Sequence, residues 1–128
     1  MLSPILSVHG VAASIRFYVE ALQFTHAWSM TDDDGAPNFA SVKFGDAEIM
    51  LGTIDFVDEA DRQRLGKGIQ MHIALPQDYD IDGLYAQAQA KSGTITRPIE
   101  DREWGERAFA VKDPDGYHFM FARPLKKA

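Results

Sequence analysis

Two stretches of the chain show the same succession of hydrophobic and polar patterns. Each begins with a strand-like segment, "LSPILSV" in the first and "IQMHIALP" in the second, continues with apolar residues at helical spacing, and ends with three further strand-like segments. This internal repeat predicts two modules of one strand, one helix and three strands (βαβββ). We place the modules at residues 1–54 and 69–124, joined by a polar linker at residues 55–68, within a single domain of residues 1–128.

The two helices are predicted from apolar residues at positions i, i+3, i+4 and i+7. Ser14 precedes the first set and Asp80 the second, and both residue types are favoured at helix N-caps. Gly93 follows the second set and is expected to end that helix. The two stripes match position for position: Ile15, Tyr18, Val19 and Leu22 in the first, and Ile81, Leu84, Tyr85 and Ala88 in the second.

The strand alternation divides the sheet side chains into two faces. In "DPDGYHFMFARP" a turn leads into a strand in which Tyr117, Phe119 and Phe121 alternate with His118 and Met120. We expect the aromatic face to pack against a helix. The same reasoning places a mixture of polar and soft apolar residues on the opposite face: Ser3, Ser7, His9, Glu48, Met50, His72, His118 and Met120. Such a mixture indicates a ligand cavity, with the solvated side of a sheet as the alternative.

Aromatic residues outside these strands extend the candidate site. Trp28 and His26 are expected on one face of the second strand, with Phe39 near them, where they line the cavity or belong to an interface. Trp104, in "EWGERAF", could stack on a planar ligand at the cavity mouth or pack in a dimer interface.

The composition and charge of the chain exclude some classes of binding partner and favour others. The formal net charge of −6 argues against nucleic acid and mildly favours a cationic small molecule. No apolar run is long enough to span a bilayer, so we expect no membrane association. The chain has no Cys, which excludes disulfides and thiolate metal sites. The N-terminal segment lacks the basic region of a signal peptide, and we expect a cytoplasmic protein.

Four segments carry a resemblance to a known family: "SIRFYVEALQF", "FGDAEIMLG", "MHIAL" and "WGERAFAVKDPDGYHFMFARP". With them the chain resembles the vicinal-oxygen-chelate superfamily, which holds glyoxalase I, bleomycin-resistance proteins and extradiol dioxygenases. The last segment is most similar to the bleomycin-resistance branch. The resemblance implies an α+β fold in which two βαβββ modules form an open, curved, mixed-sheet cup. It also implies a homodimer with cavities built by the sheets.

The resemblance further implies four metal-ligand positions, which fall on Ser3, Met50, His72 and Met120. Of these four residues, only His72 is of the type that the metal-dependent members use as a ligand at that position. A thioether is a poor donor for hard divalent ions, so we expect no metal cofactor. Met50 and Met120 would instead make the cavity floor soft and adaptable. We therefore predict a small-molecule-binding protein that sequesters a planar or cationic drug-like compound. Its predicted ligand-binding residues are Trp104, Met50, Met120, His72, His118, Glu48, Trp28 and Phe39.

Two enzymatic alternatives stay open. A metal-dependent lyase, isomerase or dioxygenase could use a displaced set, His72, His118 and Glu48, to hold Zn²⁺, Ni²⁺ or Fe²⁺. A metal-free enzyme could use His72 or Glu48 as a general base.

Overall fold

The structure is a computed structural model and describes residues 2–126. It divides into two compact units, Met1–Leu65 and Gly66–Ala128. The first unit contains β1 (Ile5–Val8), α1 (Val11–Leu22), β2 (Thr25–Thr31), β3 (Pro37–Phe44) and β4 (Ala47–Thr53). The second contains β5 (Gln70–Ala74), α2 (Ile81–Ala90), β6 (Thr94–Asp101), β7 (Glu106–Lys112) and β8 (His118–Pro124).

Each unit forms one four-stranded mixed sheet with the same strand order. The first sheet runs β1-β4-β3-β2 and the second runs β5-β8-β7-β6. The first strand of each unit pairs in parallel with the last, and the remaining pairs are antiparallel. The predicted α+β class with two βαβββ modules is confirmed.

The segment predicted as a linker contains local helical structure. Two short 3-10 helices, Ile54–Phe56 and Glu59–Asp61, follow β4 in the first unit. The side chain of Arg62 returns to this segment and donates from Nε to the carbonyl oxygen of Val57 at 3.0 Å.

The core of the first unit lies between α1 and one face of its sheet. Leu6, Val8, Ile49 and Leu51 contribute from the parallel pair β1 and β4, and all four are buried. The facing side chains of α1 and the following turn are Val11, Phe17, Tyr18, Ala21, Leu22 and Phe24. Edge-to-face contacts connect the rings of this set, which adds directional packing to the burial of apolar area.

The prediction for α1 was wrong in its start and in its buried stripe. The helix begins at Val11, with Gly10 as N-cap, so Ser14 lies inside it and is buried. Val19 is exposed, whereas Phe17 is buried. Apolar residues cover most of the helix surface outside the charged side of Arg16 and Glu20, so several stripes fit the same periodicity and the buried one could not be chosen from the sequence. When the two helices are aligned on their N-caps, the buried positions correspond again: Val11, Ser14 and Tyr18 match Ile81, Leu84 and Ala88.

In the second unit, α2 begins where the sequence predicts. Asp80 is the N-cap, and its Oδ1 accepts a hydrogen bond from the backbone N–H of Gly83 at 3.0 Å. Gly93 does not provide the left-handed residue at the helix end, because Ser92 does, with φ of 73°. Gly93 serves close packing instead. A Cβ at this position would lie 2.6 Å from the carbonyl oxygen of Ala88.

The aromatic face of β8 packs into the core of the second unit, as predicted. Tyr117, Phe119 and Phe121 are buried, and Phe121 stacks on Phe109 with ring centroids 5.4 Å apart. The preceding turn is fixed by the buried Asp113, whose Oδ1 accepts backbone hydrogen bonds from Asp115, Gly116 and Tyr117 at 2.8–2.9 Å. The "DPDG" motif is therefore a structural turn that fixes the direction in which β8 begins.

Among residues 2–126, no helix combines the length and the apolar character needed to cross a membrane.

Candidate functional site

The sheet face of the first unit that points away from α1 carries several exposed apolar side chains. Strand register places Ile5 beside Met50 and Ser41 beside both Met50 and Trp28. It also places Met30 beside Phe39. Ile5, Trp28 and Met30 are exposed, and Met50 and Phe39 are half-buried. Exposed apolar groups on one face of a sheet are a recognised mark of a ligand or partner site.

An aromatic platform forms on this face from Phe39 and Trp28. The two rings stack with centroids 5.9 Å apart and an interplanar angle of 23°. Beneath Phe39 lies Gly52, where an added Cβ would meet two carbon atoms of the Phe39 ring at 3.4 and 3.5 Å and Cγ2 of Ile5 at 3.8 Å. The absence of a side chain at Gly52 therefore lets the Phe39 ring lie flat against β4.

A β-bulge brings Trp28 to the platform. The register of β2 against β3 shifts between His26, which lies beside Val42, and Trp28, which lies beside Ser41. Val42 belongs to the core face and Ser41 to the opposite face, so the prediction that His26 and Trp28 share a face is wrong. The extra residue of a bulge reverses the alternation, and sequence alternation alone does not reveal it.

A cavity of about 560 Å³ opens at the end of this sheet where β2 ends, β3 begins and β4 ends. Its apolar lining comes from Phe39, Met30 and Phe56, and the last two are 58% and 78% exposed. Its polar lining comes from Asp32, Asn38, Thr53 and Asp55. The volume lies within the usual range for small-molecule sites.

The polar part of the cavity is acidic. Asp32 Oδ1 accepts the backbone N–H groups of Asp34 and Ala36, both at 3.0 Å, which fixes its carboxylate in the β2–β3 loop. Asp55 Oδ2 accepts a hydrogen bond from Thr53 Oγ1 at 3.4 Å. Within residues 2–126, no Lys or Arg forms an ion pair with either carboxylate. Two uncompensated negative charges beside an aromatic ring favour a cation.

Asn38 adds an unsatisfied acceptor to the same lining. Its Oδ1 atom is buried and has no hydrogen-bond partner among the described residues. Buried amide oxygens are normally paired, so the local structure leaves one acceptor available for a donor that reaches it.

Glu48, a predicted ligand-binding residue, is held within the sheet face of the first unit. Its Oε2 accepts a hydrogen bond from Oγ of the fully buried Ser41 at 2.6 Å, and its Oε1 accepts one from Oγ of Ser3 at 3.4 Å. The carboxylate therefore has structural partners, and it does not line the cavity at the end of the sheet.

In the second unit, strand register places His72 beside Met120 and Gln70 beside His118. All four residues point away from the helix-facing aromatic set. His72 is exposed, whereas His118 and Met120 are half-buried. His118 also lines a cavity of about 410 Å³ together with residues 66–70. The predicted residue His118 thus lies at this cavity, whereas Trp104, His72 and Met120 do not line it.

Trp104 lies in the turn between β6 and β7 and is exposed. Its Nε1 donates to Oε1 of Glu106 at 2.8 Å. This bond ties the indole to its own hairpin, and the residue is 55% exposed.

The register revises one of the four positions that the resemblance implied. Ile5 lies beside Met50 in the first unit as His72 lies beside Met120 in the second. The first-module counterpart of His72 is therefore Ile5, and Ser3, which precedes β1, is not. The donor set becomes one imidazole, two thioethers and an alkyl group, which does not fit a hard divalent cation.

The displaced set of His72, His118 and Glu48 stays a prediction. Between Leu2 and Lys126, no group of three or more His, Asp and Glu side chains is close enough to hold a metal ion.

The chain matches one protein family over nearly its whole length. The model of the Glyoxalase/Bleomycin resistance protein/Dioxygenase superfamily matches residues 3–121. The chain therefore belongs to this superfamily, as the sequence motifs predicted.

Solved structures agree on the fold. A superfamily member from Sphaerobacter thermophilus is 27% identical, with a TM-score of 0.67 and coverage of 94% of both chains. TioX from Micromonospora sp. ML1 is 18% identical, with a TM-score of 0.74 and coverage of 100% of this chain and 98% of its own.

A relative was also found by sequence alone. An uncharacterised protein of Mycobacterium bovis is 26% identical over 98% of this chain and 84% of its own length.

Sequence reasoning missed most of the lining of the acidic cavity. Met30 could have been found, because it follows Trp28 by two residues on one strand. Asp32, Asp55 and Phe56 carry no periodic signal. Asp32 lies in a loop, and the other two lie in a 3-10 helix of a single turn, and the sequence does not determine the path of either segment.

Proposed function

We propose that the chain binds a small planar cation non-covalently in the acidic cavity of its first unit. The observation that carries the proposal is the meeting of the aromatic platform with uncompensated carboxylates: Phe39 lines the same cavity as Asp32 and Asp55. A flat aromatic ligand gains area by stacking on Phe39, and its positive charge gains from the two carboxylates.

The binding is expected to depend on three kinds of contact. Phe39, supported by Trp28, supplies the flat apolar surface. Met30 supplies an adaptable thioether, which adjusts to ligands of different outline. Asp32 and Asp55 supply the charge, and the exposed ring of Phe56 can cover the ligand from the 3-10 helix after β4. None of these contacts makes or breaks a covalent bond, so sequestration of a cationic drug-like compound is the function they support.

The proposal requires no metal ion. The family's metal positions hold Ile5, Met50, His72 and Met120, and their chemistry does not fit such an ion. We expect ligand binding to be unchanged after exhaustive treatment with a chelator. Calorimetric titration with Zn²⁺, Ni²⁺ and Fe²⁺ tests the enzymatic alternative, because stoichiometric binding that His72→Ala abolishes would support it.

The test uses 9-aminoacridine, a planar cation at neutral pH, titrated calorimetrically into the full chain. We expect saturable binding. Phe39→Leu removes stacking of about 1 kcal/mol and should weaken affinity roughly fivefold. Asp55→Asn should weaken it by a similar factor, because a partly exposed charge pair is worth about 1 kcal/mol.

The matched control is Asp46→Asn, which removes one exposed carboxylate from the β3–β4 turn, outside the cavity. It changes the net charge as Asp55→Asn does, and it should leave the affinity within about twofold of the wild-type value. Equal losses in both variants would mean that general surface charge, and not this cavity, attracts the ligand.

Two broader predictions accompany the proposal. The family resemblance predicts a homodimer, which sedimentation equilibrium tests. The lack of Cys is compatible with the cytoplasm, which we propose as the compartment and which cell fractionation tests.

A further inference from the structure

The second unit holds two arginines side by side on neighbouring strands. Arg107 on β7 and Arg123 on β8 are register partners, so their side chains leave the sheet on the same face. Like charges at directly opposed positions repel each other, and each needs a counter-charge to remain there.

Arg107 has its counter-charges within the unit. Its Nη2 and Nε donate to the two oxygens of Asp82 at 2.7 and 3.3 Å, and its Nη1 donates to Asp101 at 2.9 Å. Three of its donor atoms are thus committed to carboxylates.

Arg123 has none. Its only hydrogen bond among the described residues runs from Nη1 to the carbonyl oxygen of the adjacent Pro124 at 3.0 Å. The residue is 8% exposed, its Nε is buried without a partner, and no carboxylate within residues 2–126 forms an ion pair with it. A buried guanidinium with an unpaired Nε and no direct ion pair is costly, and it indicates that an anion completes the site.

A cavity lies at this guanidinium. It has a volume of about 390 Å³ and is lined by Asp101, Arg107, Arg123, Leu125 and Lys126. Three cations and one carboxylate line it, so its formal charge is positive although the chain as a whole carries −6. Its size is sufficient for a small organic or inorganic anion.

We infer that this cavity is a binding site for a small oxyanion, carboxylate or phosphate, held by Arg123 and Lys126. The planar guanidinium matches either group through paired N–H donors, and the exposed ammonium of Lys126 adds a second charge. The site lies within the second unit and is independent of the cation site proposed in the first.

The test is a titration of the full, isotopically labelled chain with inorganic phosphate and, separately, with acetate, at constant ionic strength. The signal followed is the Nε–H resonance of Arg123, which burial should protect from exchange. We expect a saturable shift of this resonance with at least one of the two anions. The anion that saturates at the lower concentration identifies the favoured group. A shift that rises linearly with both anions would overturn the inference.

Three variants separate the site from general charge effects. Lys126→Gln should weaken anion affinity roughly threefold, whereas Lys91→Gln, an exposed lysine after α2, should leave it unchanged. Asp101→Asn should strengthen affinity several-fold, because it removes the one carboxylate of the lining and leaves Arg107 with a free donor. Structural damage would not strengthen binding. Equal affinities in all three variants would refute the site.

Discussion

Two glycines at the start of the second unit permit a sharp test of its backbone placement. Gly66 and Gly68 both have positive φ, 78° and 83°, and both line the cavity beside His118. They differ in what a side chain would meet. A Cβ at Gly66 would overlap the carbonyl oxygen of Gly116 and lie 2.8 Å from Cα of Tyr117, whereas a Cβ at Gly68 would meet nothing within 4 Å.

The expected costs follow from these contacts. Substitution by Ala in the left-handed region costs about 1 kcal/mol at either position. At Gly66 the backbone overlap adds about 2 kcal/mol or more, because neither of the two main-chain segments can rotate out of the way as a side chain does. For a chain of this length, roughly 4 °C of melting temperature corresponds to 1 kcal/mol. We therefore expect Gly68→Ala to lower the melting temperature by about 4 °C and Gly66→Ala by about 12 °C or more.

The assay is thermal and urea unfolding followed by far-ultraviolet circular dichroism on both variants and the wild type. If Gly66→Ala does not fold at all while Gly68→Ala does, the prediction is also supported, because Gly66→Ala has then lost more stability. Equal losses of stability in the two variants would refute the reasoning. They would mean that Gly66 does not lie against the turn before β8.

Three further predictions concern single contacts. Ser41→Ala removes the 2.6 Å hydrogen bond to Glu48 and should cost about 1–2 kcal/mol in urea unfolding. Asp80→Ala removes the N-cap of α2 and should cost about 1 kcal/mol, measured in the same way. Asp82→Asn should cost less than about 1 kcal/mol at neutral pH, because Asp82 is mostly exposed. Its hydrogen bond from Arg107 lowers the pKa of Asp82 below 3.8, so this contribution is present above that pH and is lost as the pH falls through the lowered pKa.

Matched variants check each of these values. Ser3→Ala, which removes only a 3.4 Å contact to Glu48, should cost less than Ser41→Ala, and the reverse order would contradict the hydrogen-bond geometry. Asp78→Ala, just before α2, should be near neutral, and a loss equal to that of Asp80→Ala would argue against the cap. For Asp82→Asn, the free energy of unfolding should equal that of the wild type in strong acid, where Asp82 is protonated. A stability difference that persists there would mean that the charge of Asp82 is not the cause.

The sequence predicted the fold in most respects, and its errors have physical causes. The repeated pattern of strands and the aromatic face of β8 were sufficient to predict the two modules, because burial of one sheet face requires apolar and polar residues to alternate along each strand. The stripe of α1 was wrong because apolar residues cover most of the helix surface: both Val19 and Phe17 fit a helical period, and only packing selects Phe17. Gly93 was assigned to a cap, although Ser92 adopts the left-handed conformation.

The candidate site was predictable only in part. Phe39 and Trp28 were found from residue type and the strand pattern, but the bulge that separates His26 from Trp28 was not. The acidic lining lies in the β2–β3 loop and in a short 3-10 helix after β4, and the hydrophobic pattern predicts the position of neither. The burial of Arg123 could not be predicted from the sequence. An arginine at the end of a strand is usually exposed, and neither its residue type nor its position in the strand indicates otherwise.

The measurement that tests the central claim most directly compares two ligands with the same ring system. Acridine and 9-aminoacridine are both planar, but at weakly alkaline pH only the second is a cation. Calorimetric affinities of both are measured on the wild type and on a variant that combines Asp32→Asn with Asp55→Asn. We predict that the wild type prefers the cation by roughly tenfold and that the variant loses this preference while it retains acridine binding. Equal affinity of the wild type for both compounds, or a preference that survives in the variant, would contradict the account.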